Sequence, residues 1–199
     1  GVGLDDSGGF TWNEQPASGA LLAAAEEIGR QCRLPPGYES EISLAARAWA
    51  GEWGHRLQRG ALLLIDYGFP RREYYLPERT SGTLRCYYRH RAHENPFLWP
   101  GLQDITAWVD FSWLAESALA AGFTLNGYTT QAHFLLASGI DQRVVEVAAD
   151  TQTQVAMVAG LHQLLLPGEM GEAIKVIALG RGGTEGPEAM YGRDLRSRL

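Results

Sequence analysis

The stretch Gly60-Ala61-Leu62-Leu63-Leu64-Ile65-Asp66-Tyr67-Gly68 decides the fold. An apolar run ends in a carboxylate, an aromatic ring and a glycine. With no polar alternation, the run predicts a strand covered on both faces, as in a parallel sheet between helices. An acid at the carboxyl end of such a strand stands where open α/β sheets bind ligands. The expected class is therefore α/β.

Outward from this strand, helical and extended patterns alternate. Ser40 predicts the cap of a preceding helix, with Ile42, Ala45, Trp49, Trp53 and Leu57 as its buried stripe. Ser18 does the same for a helix to about Gln31, with Leu21, Leu22, Ala25 and Ile28 on one side. Val2–Asp6 and Phe10–Glu14, joined by Ser7-Gly8-Gly9, read as a β-hairpin. On the other side, residues 67–82 read as a loop, 83–90 as a short strand or extended edge, and 91–109 as irregular. Asp110 predicts the cap of a helix from Phe111 to Ala121. A strand from Phe123 to Gln131 and a helix from His133 to Ser138 follow. One long helical region, 141–165, is expected to turn Val144, Val145, Ala148, Val155, Val158 and Leu161 inward. Ile174–Leu179 reads as a last strand. The expected division is a hairpin and helical region over 1–59, an α/β portion over 60–180, and a flexible tail over 181–199.

The chain has 199 residues, 45% of them hydrophobic, and a formal net charge of −6. That balance argues against a broad nucleic-acid surface, which needs clustered cations. No apolar run reaches the roughly eighteen residues of a transmembrane helix. Cys32 and Cys86 read as reduced thiols of a cytosolic protein. No glycine-rich phosphate loop is visible. Lys175 is the only lysine.

A set of short motifs then carries a resemblance. Asp66-Tyr67-Gly68, Gly82-Thr83-Leu84, His90, Asn95-Pro96, Pro100-Gly101, Gln103-Asp104-Ile105-Thr106 and Val109-Asp110-Phe111 occur in this order. Thr130-Gln131, Phe134-Leu135, Ser138-Gly139-Ile140, Met170-Gly171-Glu172, Ile174-Lys175-Val176 and Gly192-Arg193-Asp194-Leu195 follow. Their order and spacing resemble the MidA-like family of class I S-adenosylmethionine-dependent methyltransferases, over nearly the whole chain. The resemblance implies a Rossmann-like sheet and S-adenosyl-L-methionine as the parent enzyme's cofactor. It implies methylation of an arginine on a respiratory complex I core subunit as the activity. It also implies a bacterial cytoplasmic location, with the mitochondrial matrix for eukaryotic relatives. Family members carry a glycine-rich cofactor loop in an N-terminal half that has no counterpart here. The chain is thus expected to be a C-terminal half that binds the cofactor poorly. A half-sheet leaves one strand edge open, so dimerisation, rearrangement or covering by its own hairpin or helices is expected.

Methyl transfer to a guanidinium nitrogen needs a group that fixes the guanidinium and takes up a proton, and carboxylates suit both tasks. Asp66 is the candidate catalytic residue, or else a cap at a strand end. Tyr67, Gly68, His90, Asp104, Thr106 and Gln131 are the candidate substrate-binding residues. Each has a plainer alternative: Tyr67 fills a gap, Gly68 serves backbone shape, His90 anchors its loop, Asp104 and Thr106 bond their own segment, and Gln131 bonds structurally. His90 and His93 are spaced like a metal pair but lack further ligands, and no metal is assigned. Arg71, Arg72, Arg79, Arg85, Arg89 and Arg91, interleaved with tyrosines, read as RNA- or acid-binding, or as a solvated face paired with Glu73, Glu78 and Glu94. Three function classes follow: an enzyme portion, a non-catalytic protein-binding module of the same family, and a metal-dependent hydrolase built on the two histidines.

Overall fold

The computed structural model describes residues 1–147 and 150–199. In chain order the elements are β1 (Val2–Leu4), β2 (Phe10–Trp12), α1 (Gly19–Cys32), α2 (Leu44–Arg56), β3 (Gly60–Phe69), α3 (Arg71–Tyr74), β4 (Arg85–Tyr88), β5 (Arg91–His93), β6 (Asp104–Thr106) and β7 (Val109–Asp110). They continue with α4 (Phe111–Ala120), β8 (Thr124–Thr130), α5 (Gln131–Ala137), α6 (Ile140–Val147), α7 (Thr151–Leu165), α8 (Met170–Ala173) and β9 (Ile174–Arg181), then two short 3₁₀ turns. The fold is α/β, and it forms two compact units. The first comprises Gly1–Leu44 and Tyr75–Trp108; the second comprises Ala45–Tyr74 and Val109–Leu199.

In the first unit, β1 and β2 form the expected antiparallel hairpin. Asp5 Oδ1 accepts the Ser7 and Gly9 backbone N–H groups, and Gly8 takes the left-handed conformation at φ 81°. In α1 the buried positions are Ala24 and Ile28, while Leu21, Leu22 and Ala25 lie exposed. Ser18 precedes α1 in extended backbone and makes no side-chain cap bond. Residues 91–109, expected to be irregular, include β5 and β6, which flank β4 in a three-stranded antiparallel sheet. Glu41 organises this unit. Its carboxylate accepts the Thr83 and Leu84 N–H groups and the Thr83 hydroxyl, at 2.9–3.1 Å.

The second unit holds the main sheet, ordered β7-β3-β9-β8. Here the opening expectation is corrected. β3 pairs antiparallel with β9 from Gly60 to Tyr67 and parallel with β7 only at Gly68 and Phe69. One face of β3 sends Leu62 and Leu64 toward a core of Phe111, Leu114, Ala118, Tyr128, Ile177 and Leu179. The other leaves Leu63 41% and Ile65 49% exposed, so the strand is not covered on both faces. The antiparallel pair β8–β9 stands beside β3, as the family fold implies.

α2 begins at Leu44, too far along for Ser40 to cap it. Its buried positions are Ala50 and Gly54 rather than Trp49, which is 40% exposed. The reason is close approach: a Cβ on Gly54 would lie 2.5 Å from the Ala121 Cβ, so the small residues face α4 and the tryptophans flank the contact. The segment expected as a loop after β3 contains α3. Asp110 caps α4 as expected, accepting the Trp113 N–H at 3.0 Å. The long helix expected over 141–165 is two helices. Asp150 opens the second by accepting the Thr153 N–H at 2.8 Å. Val145, Val155 and Val158 are exposed rather than inward-facing, Val144 and Leu161 are half-buried, and Ala148 lies outside the described residues. After β9, Met190 packs fully buried against β8, where Gly127 has no side chain to obstruct it. Leu195 N–H donates to the Tyr128 carbonyl at 2.7 Å.

Candidate functional site

The candidate residues divide between the units. Asp66, Tyr67, Gly68 and Gln131 belong to the second; His90, Asp104 and Thr106 belong to the first.

In the second unit, Asp66 lies near the carboxyl end of β3 in a row that crosses the sheet. Asp66 is opposite Lys175 on β9, and Lys175 is opposite Thr130 on β8. At the usual strand spacing the outer two stand about 10 Å apart. Asp66 is exposed, and its Oδ1 accepts the Tyr67 backbone N–H at 2.8 Å. Lys175 is 5% exposed, and its Nζ donates to the Glu172 carbonyl and sits 5.0 Å above the Phe69 ring. Burial pushes this amine down from the usual lysine range, against the opposing pull of Glu73 and Glu172. Lys175 is the polar residue of this row that motif reading left without a role. Its signal was a lone lysine inside an apolar strand.

Tyr67 is 39% exposed. Gly68 is closed: a Cβ there would lie 2.2 Å from the Val109 carbonyl oxygen and 2.8 Å from the Phe111 ring, so this glycine admits β7. Gln131 is buried at the start of α5 and donates to the Leu164 carbonyl at 3.0 Å. Next to it, Thr130 Oγ1 lies 2.6 Å from His133 Nδ1, and Arg193 Nη1 lies 3.0 Å from His133 Nε2. This pairing makes Nε2 the acceptor and Nδ1–H the donor. Burial and then the Arg193 charge hold the His133 pKa down. Below β3, Arg71 is buried and bidentate to Glu116 at 2.9 and 2.5 Å, with Asp110 Oδ2 3.6 Å from its Nε. Burial raises the Asp110 pKa despite that cation.

In the first unit, Arg89 and His90 form the two-residue turn between β4 and β5, at φ 48° and 62°. That is the turn geometry hairpins favour, built here without glycine. Asp104 pairs opposite Tyr87 and Thr106 opposite Arg85, so Asp104 lies toward the same end of the sheet as His90. Asp104 and Thr106 are exposed strand residues rather than parts of an irregular loop. His93 lies opposite Cys86, its ring edge-on to Trp99 at 5.5 Å. Among the described residues, no three His, Cys, Asp or Glu side chains could together hold a metal ion. Cys32 and Cys86 form no disulfide, and among the described residues no helix is long and apolar enough to cross a membrane.

The described residues do not by themselves fit S-adenosyl-L-methionine. The glycine at the carboxyl end of β3 is filled by β7 and Phe111 instead of cradling a ligand, and β3 leads through buried Pro70 into α3.

Solved structures place the fold. The whole chain superposes on a superfamily member from Burkholderia thailandensis, solved bound to S-adenosyl-homocysteine, with a TM-score of 0.92 and 42% identity; it covers 51% of that protein. A native structure described as a superfamily protein of the same organism gives 0.89 and 42%, covering 52%. These define an α/β protein of methyltransferase type. The family model for S-adenosyl-L-methionine-dependent methyltransferases matches residues 1–129, and the chain belongs to that family. Among curated relatives, the rat mitochondrial protein arginine methyltransferase NDUFAF7 is 35% identical over 123 residues, or 60% of this chain and 26% of the relative. Its human counterpart is 31% identical over 126 residues, covering 62% and 26%. The chain thus spans about a quarter of the length of these relatives and about half that of the structural neighbours.

Proposed function

We propose that this chain supplies the substrate-facing part of an S-adenosyl-L-methionine-dependent protein arginine methyltransferase whose target is a respiratory complex I subunit. The relatives named as protein arginine methyltransferases support the activity. One observation carries the residue assignment: Asp66 is an exposed carboxylate near the carboxyl end of a sheet strand, with one oxygen held by its own backbone. The other oxygen is available to a guanidinium. It would fix one N–H and accept the proton released when that nitrogen is substituted. Tyr67, the next residue along β3, turns its part-exposed ring to the opposite face of the sheet, where it offers a contact to the substrate peptide rather than to the guanidinium. Within the first unit, His90, Asp104 and Thr106 are exposed polar residues that offer contacts to a substrate segment on their own sheet. Gly68 and Gln131 serve the fold around Asp66. Cofactor binding is assigned to the part of a longer protein that this chain does not match.

The test is Asp66→Asn in the full-length protein. Methyl transfer should fall by about 10²–10⁴-fold, the usual worth of a positioned acid–base group, while the melting temperature holds. A parallel loss of both would identify a structural acid. The closed Gly68 favours a second reading, a protein-binding module without chemistry. Calorimetric titration of the full-length protein with S-adenosyl-L-methionine separates the two. Saturable heat favours an enzyme; its absence, with peptide binding retained, favours the module.

A further inference from the structure

The second unit contains a groove of about 440 Å³ away from Asp66, between α2 and α4. Arg47, His55, Glu116 and Arg181 line it, over a floor that includes Gly51 and Gly54. Its charges do not cancel. Both Glu116 oxygens are held by Arg71. Among the described residues, Arg47 has no carboxylate within ion-pair distance; its guanidinium lies 5.3 Å above the Trp113 ring. Arg181 donates to the Ala121 carbonyl at the end of α4 and lies 5.5 Å from the Phe123 ring, again with no carboxylate partner among the described residues. Two guanidiniums therefore share one groove, each fixed by an aromatic ring and neither neutralised. The floor is bare where it matters: a Cβ on Gly51 would meet nothing within 4 Å, although glycine inside a helix is less favourable than alanine.

We infer that the α2–α4 groove is an oxyanion-binding site, taking a carboxylate or phosphate group between Arg47 and Arg181. Planar, ring-stacked guanidiniums suit such groups because their paired N–H donors match the spacing of two oxygens. The site does not depend on Asp66 or on the reaction proposed above.

Calorimetric titrations with inorganic phosphate, pyrophosphate and a glutamate-rich hexapeptide test this in the wild type, Arg47→Gln and Gly51→Glu. Arg47→Gln should weaken binding about tenfold, as expected for loss of a charge-assisted pair. Gly51→Glu places a carboxylate over the open floor and should abolish binding while leaving the helix intact. Arg56→Gln, whose partner is Glu52 on the same helix, is the control and should bind as the wild type does. Tighter binding of the hexapeptide would identify an acidic protein segment as the source of the oxyanion. Tighter binding of the phosphates would identify a free anion. Binding that is undetectable in the wild type, or equal in the wild type and Gly51→Glu, would overturn the proposal.

Discussion

His133 shows how a single side chain ties local chemistry to stability. Its Nε2 accepts from Arg193 and its Nδ1 faces Thr130, so only the neutral ring suits both contacts. Its folded pKa lies below the ordinary 6.5, first from burial and then from Arg193, with Glu172 opposing. Between 6.5 and that lowered value, the unfolded chain binds more protons than the folded one. Stability should therefore fall as pH drops through this window and level off beneath it. Thermal melts across the window should show the slope, and His133→Gln should remove its share. Asp66 presents the opposite case: exposed and, among the described residues, bonded only to its neighbour's backbone, it should matter to chemistry and not to melting.

Among the elements, the junction of β3 and β7 is the most exacting. Gly68→Ala would drive a methyl group into the Val109 carbonyl and the Phe111 ring. We expect a loss of about 1–3 kcal/mol, the usual cost of overpacking, measurable by urea unfolding, with hydrogen exchange rising at Val109 and Asp110. Elements of this kind were only partly legible from sequence. The hairpin and the α4 cap were readable because Gly8 and Asp110 act through their own neighbours. The burial of Gly54 in place of Trp49, and of Met190 in a charged, glycine-rich stretch, was not, since each depends on contact with a distant element. For the candidate site, the end of β3 was legible as an acid after an apolar run. The cross-sheet neighbours of Lys175 and the Leu164 partner of Gln131 were not, because strand register sets the first and the meeting of α5 with α7 the second, and no local signal marks either.

At the scale of the whole molecule, β3 poses a solubility problem. From Gly60 to Tyr67 it has a strand partner on one side only among the described residues, and Leu63 and Ile65 are exposed on one face. Open apolar edges recruit other strands. The isolated chain should self-associate in light scattering at micromolar concentration, and Ile65→Lys should return it to monomer with unchanged circular dichroism. A monodisperse wild-type monomer would remove that expectation.

The two units interleave along the chain: residues 45–74 of the second separate the two segments of the first. On the ribosome, the first unit is complete only once β4 to β6 have been translated, while β3 must wait for β9, more than a hundred residues later. Neither unit can be expressed as one uninterrupted stretch, so dissecting them requires circular permutation or split-chain complementation rather than truncation.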